Sequence, residues 1–395
     1  MNRSRVYSAA AIACLVVLGM LSAETQPKAE KAKDETAVTL FDADPAHPWN
    51  RLYQFLYVPI GNEIGGSECR GADARRQEPF LLHNAAYDKA VRMLDAFLQS
   101  KDDERVKDPV KRALLQRDLW YAFDSLGEIP YPGERGIHEE PTQRRRALQK
   151  RLAQLMRRLE QPASRLKALP DNYGLTVKKG TYPAKFDAEH PERPYLPADL
   201  RLDDKSDWVI VRAASTDLSA PAHNLFVEGK SVFLTLLRLP GPRKKTEDYL
   251  ADMPEDRGKK GFQPLPDGSQ VALVRRMLLP DDKGELRPTP LIEDVRLRIF
   301  SKRREQHAYE FTLARGGLLS GRSALWARGG DELNCKVCHK PEDGVFSLNT
   351  FGFGMTQGYH GAARTNLTEQ VNGTVNLKKQ SYSWGLLQGL RETTP

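Results

Sequence analysis

The sequence predicts an α+β fold with three successive regimes. Apolar residues recur at helical spacing from about Leu40 to Leu169, alternate with period two between residues 200 and 316, and lose clear periodicity beyond Gly316. The pattern implies an N-terminal helical region (40–199), a central antiparallel β sandwich or small barrel (200–316) and a C-terminal loop-rich segment (317–395). A chain of 395 residues is long for a single core. Its 40% apolar content excludes wholesale disorder, and four cysteines exclude a disulfide-built scaffold.

At the amino terminus, Arg3 and Arg5 precede an almost continuously apolar run, Val6–Leu21, closed by small Ser22-Ala23. A basic start, a short apolar stretch and a small-residue exit make residues 1–23 a secretory signal peptide. The run is shorter than the roughly 20 residues a spanning helix needs. Ala11-Ile12-Ala13-Cys14 faintly resembles a lipoprotein box, but apolar residues continue past Cys14, which argues against a lipid anchor. The expected location is periplasmic or secreted. Residues 24–39 are charged and lack aromatics, as a linker does.

Three helices stand out in the next region. Ala90, Val91, Leu94, Phe97 and Leu98 form one apolar stripe; Leu114, Leu115, Leu119 and Ala122 form a second, starting after Pro109. Leu148, Leu152, Leu155, Met156 and Leu159 form a third between Pro141 and Pro162. The third helix also carries Arg144, Arg145, Arg146, Lys150, Arg151, Arg157 and Arg158, a basic face suited to anionic lipid headgroups or to plain solvation. The net charge of +8 is spread along the chain, and nothing in it points to nucleic acid.

The proline-rich passage Pro183–Pro197 marks the change of period. Beyond it Trp208–Val211, Val232–Leu239, Gln270–Leu279, Val295–Ile299 and Tyr309–Leu313 read as five strands with no helices between them.

One motif carries chemistry. Cys335-Lys336-Val337-Cys338-His339 is C-x-x-C-H, the attachment signature of c-type haem. Two thiols with a two-residue spacer match the spacing of the haem vinyl groups, and the adjacent imidazole can turn onto the iron. From this composition the pattern arises by chance about once in a thousand such chains. Zinc is an alternative with His360 as a further ligand, and a redox dithiol or a structural disulfide are others. Cys69 lies in a glycine-rich stretch and has no evident partner.

Through residues 335–339 the chain resembles the c-type cytochromes. That resemblance implies one covalently attached haem c, with Cys335 and Cys338 as thioether anchors and His339 as proximal iron ligand. Arg275–Phe300 and Gln380–Leu390 are also similar to uncharacterised exported bacterial proteins with a C-terminal haem motif. Unlike a typical mono-haem domain, only 56 residues follow His339, few of them helical in pattern. Met355 is the only methionine after the motif and is the expected sixth ligand, with His360 as its alternative.

The implied function is single-electron transfer with an unidentified redox partner protein rather than turnover. Two alternatives stand beside it: a haem oxidoreductase with an open sixth position acting on peroxide or a small gas, and a β-rich binding module with incidental haem. No G-x-S-x-G, P-loop, H-E-x-x-H or EF-hand loop is present.

Overall fold

In the computed structural model the described residues are 40–56, 80–82, 84–126, 142–200, 202, 205–213, 216–226, 229–252, 265–301, 306–327 and 362–392. All belong to one unit, residues 37–395; the expected signal peptide (1–23) and linker (24–39) lie outside the described residues.

The helical half contains α1 (Pro48–Leu56), α2 (Asn84–Ser100), α3 (Pro109–Ser125), α4 (Thr142–Leu159), α5 (Ala163–Lys167) and α6 (Asn172–Lys179). The three expected helices are α2, α3 and α4. The Asp108 carboxylate caps α3 by accepting from the Val110 and Lys111 amides, and Pro109 occupies its first turn. α3 is buried on every side, Arg117, Asp118 and Asp124 included. Its apolar residues share one core with α1, α2, α4 and the sheet.

The five expected strands are β1 (Val209–Ala213), β2 (Ser231–Arg238), β3 (Gln270–Pro280), β4 (Leu286–Phe300) and β5 (Gln306–Leu313). They pair antiparallel with two short additions, β6 (Leu325–Ala327) and β7 (Ala362–Arg364), in the order β6-β5-β4-β3-β2-β1-β7. The sheet is open: it does not close into a barrel, and no second sheet packs on it among the described residues to make the sandwich that was the other expectation. At the β6 edge, Thr176 Oγ1 accepts from the Ala324 and Leu325 amides and Tyr182 Oη from the Ala327 amide. Side chains thus satisfy amides that a further strand would otherwise take.

Two sequence-based expectations are corrected. The β region is not free of helices: α7 (Pro221–Phe226) lies between β1 and β2, and α8 (Arg243–Ala251) between β2 and β3. Among its described residues the last region is also more helical than expected: α9 (Arg315–Leu319) precedes β6, and α10 (Leu367–Lys379) and α11 (Tyr382–Glu392) follow β7. Asn, Gly and β-branched residues weaken helix propensity in α10, so its pattern is faint. The local signal is its cap: Asn366 Oδ1 accepts from the Glu369 amide while Thr365 Oγ1 donates to the Glu369 carboxylate.

Period two divides the sheet into two faces. Ile210, Leu234, Leu236, Val274, Val295, Leu297 and Phe311 lie on the face that joins the helical core. On the opposite face Val209, Val211, Leu237, Val271 and Phe300 form a second, smaller core with Leu250 of α8.

Candidate functional site

Cys335, Cys338, His339, Met355 and His360 all lie outside the described residues, as does Cys69. The ends of the stretch carrying the motif are described. Residues 328–361 connect β6 to β7, which are the two opposite edges of the seven-stranded sheet. Those edges are separated by roughly 29 Å at ordinary strand spacing. The connection of 34 residues is amply long for that span. At one end Trp326 pairs with Thr312 and continues the cross-strand row Thr312–Asp294–Arg275–Phe233. At the other, Ala362 pairs with Ala213, two residues past the last β1–β2 pair, Val211–Thr235. There Ser219 Oγ accepts from the Thr235 amide (2.7 Å) and donates to the Val211 carbonyl, bridging the two strands where the β1–β2 ladder ends.

The face opposite the helices holds a buried charged cluster on β3, β4 and β5. Arg275, Arg296, Arg298, Asp294 and Glu310 are each at most 8% exposed. Arg296 Nη2 lies 3.3 Å from Glu310 Oε1 and its Nε 3.6 Å from Asp294 Oδ1; Arg275 Nη1 lies 3.8 Å from Asp294 Oδ2. The Asp294 oxygens have ion-pair neighbours but no hydrogen-bond donor among the described residues. Burial therefore pushes its carboxyl above the usual carboxylate range, against the pull of Arg296 and Arg275.

α7 sets His223 over the same face, its ring 5.5 Å from that of Phe233. Although the residue keeps some exposed surface, its Nδ1 is buried. Burial, reinforced by Arg296, Arg298 and Arg275, lowers its pKa to about 3. The imidazole is thus neutral throughout the physiological range, the form that binds metals or accepts a hydrogen bond.

Sequence reasoning missed these arginines for a specific reason. Val295-Arg296-Leu297-Arg298-Ile299 alternates cleanly, which assigns Arg296 and Arg298 to one face but does not say whether water covers it. Here both faces are buried.

The basic face of α4 is largely spoken for within the chain. Arg151 makes a bidentate pair with Asp95 (2.7 and 3.1 Å), Arg144 donates to the Leu82 carbonyl, Arg157 to the Arg391 carbonyl and Arg158 to the Leu98 carbonyl. Arg146 and Lys150 are exposed. No helix among the described residues is long and apolar enough to cross a membrane, and no group of three or more His, Cys, Asp or Glu among them could hold a metal.

No family model, curated protein or solved structure matches this chain.

Proposed function

We propose that the chain is an exported mono-haem c-type protein that passes single electrons to or from a redox partner protein. The observation that carries this is Cys335-Lys336-Val337-Cys338-His339, in a chain whose first 23 residues read as an export signal. Cys335 and Cys338 hold the group through thioethers, His339 supplies the proximal nitrogen, and Met355 the sixth ligand, with His360 as the alternative. The bound haem supplies reversible one-electron chemistry at its iron.

The chemistry of the described fold fits such a group. A haem carries two carboxylates, and the buried guanidinium groups of Arg296 and Arg298 share one face of the sheet with the carboxyls of Asp294 and Glu310, while neighbouring Arg275 is held by Glu293 and Ser231. The stretch bearing the motif starts beside the row that contains Arg275 and Asp294.

A denaturing gel stained for haem-dependent peroxidase activity tests the proposal. The wild-type band should stain, and Cys335→Ser or Cys338→Ser should weaken or abolish the stain. An unstained wild-type protein containing stoichiometric zinc would replace the haem assignment by a structural metal site.

A further inference from the structure

One end of the sheet holds a cleft remote in sequence from the haem motif. Its volume is about 840 Å³, within the range of roughly 300–1,000 Å³ typical of small-molecule sites. Its floor is the last complete cross-strand row, Arg238–Gln270–Ile299–His307, contributed by β2, β3, β4 and β5 in turn. The segment 184–199, from the proline-rich passage, makes one wall, and Asp267 with Gly268 forms the lip before β3.

The polar groups there are fixed in advance. Gln270 Oε1 accepts from Arg238 Nη2 (2.7 Å) and Tyr195 Oη (2.9 Å), so the carboxamide NH2 is left to donate elsewhere. Arg238 is held by Asp199 (2.7 Å) and lies over the Trp208 ring. Burial raises the Tyr195 phenol well above its ordinary pKa, which keeps it a donor to Gln270. Phe186 packs on His307 with ring centroids 5.6 Å apart and retains an exposed part of its ring. Exposed Asp267, on the lip of the same cleft, provides a strong acceptor.

The charges of the described lining cancel: Lys185 and Arg238 offset Asp199 and Asp267. A balanced set of planar donors and acceptors beside an aromatic ring suits a neutral ligand rich in hydroxyl groups better than an ion. We infer that this cleft binds a neutral saccharide of one or two rings, with Gln270 donating, Asp267 accepting and Phe186 packing against a sugar ring face. The inference stands independently of the haem assignment.

Titration calorimetry with N-acetylglucosamine, maltose, cellobiose and glucuronate tests it on the whole exported chain. At least one neutral sugar should bind with a millimolar or tighter Kd, at least tenfold more tightly than glucuronate. Gln270→Glu keeps an acceptor for Arg238 and Tyr195 but removes the donor, and should weaken that sugar at least tenfold. Asp267→Ala, at an exposed position that threatens folding little, should weaken it by a similar factor without lowering the unfolding midpoint. Absence of binding by all three neutral sugars at about 50 mM, tighter binding of glucuronate, or an unchanged affinity in Asp267→Ala would each overturn the inference.

Discussion

Arg117 of α3 and Glu293 of β4 form a fully buried bidentate pair, Nε to Oε1 at 2.8 Å and Nη2 to Oε2 at 2.9 Å. Glu293 shares the face of Val295 and Leu297 that meets α3, and because β4 has one residue more than β3 here (Arg275 pairs with Asp294, Arg276 with Ile292), neighbouring Ile292 turns to that face as well. Such a bulge re-aims one side chain while the flanking residues keep their faces. Asn172 of α6 pins the same place, its amide donating to the Ile292 carbonyl and accepting from the Ile292 amide. Ser231 and Arg275 join the Glu293 carboxylate, so the helical layer, the bulge and the charged face form one connected network.

Removing one partner of this pair leaves a buried charge uncompensated. Glu293→Ala should cost about 3–5 kcal/mol, and Glu293→Gln less, because the amide oxygen still accepts from Arg117. Urea unfolding of the two variants reads the difference. A cost below about 1 kcal/mol for Glu293→Ala would show that the pair contributes little to the fold.

His223 predicts a loss of stability in acid. Its pKa is about 3 in the fold against an ordinary 6.5. Its contribution is therefore fully present above pH 6.5 and declines as the unfolded chain takes up a proton that the folded ring refuses. At pH 5 the loss should reach about 2 kcal/mol. His223→Gln should lose correspondingly less stability than wild type between pH 7.5 and pH 5; equal losses would place the ring in a solvated site.

Glu160 acts in the opposite direction. It lies 2.6 Å from Arg391 of α11, yet burial outweighs that attraction and raises its pKa from 4.5 to about 7. Its favourable contribution is complete below pH 4.5 and is lost as pH rises through about 7. Between pH 5 and pH 8 the wild type should lose more stability than Glu160→Gln, by at most about 3 kcal/mol. Hydrogen exchange along α11 should quicken at pH 8 in wild type and change less in the variant; identical profiles would put Glu160 outside the docking of α11.

Met355 is the proposed sixth iron ligand. Met355→Ala should abolish the weak red charge-transfer band of sulfur-ligated ferric haem and let the iron bind imidazole readily. An unchanged spectrum there with a changed one in His360→Ala would transfer the role to His360. A wild-type protein that binds carbon monoxide rapidly when reduced would favour the open-site oxidoreductase.

Much of the scaffold was legible because it obeys simple periodicity. The stripes of α2, α3 and α4 and the alternation of β1 to β5 each fall where the pattern puts them. What was hidden depends on tertiary context. The α10 sequence, with weak propensity, is helical where Gln370 bonds the Ser219 amide and the Asp217 carbonyl, and where Lys378 meets Asp124. The charged face was illegible because alternation cannot distinguish an arginine facing solvent from one facing a second covering layer. The bulge at Glu293 leaves no mark in a hydrophobic pattern, since it shifts a register by one polar residue. The proposed haem motif is read from spacing alone, as covalent attachment would depend on residues close in sequence.

The intact mass of the denatured protein recovered from the exported fraction tests the central claim most directly. The expected result is a chain lacking about its first 23 residues and heavier by one haem, with that increment lost in a Cys335→Ser, Cys338→Ser double variant. A wild-type chain at its unmodified mass, colourless and still beginning at Met1, would contradict both the export and the haem on which the function rests.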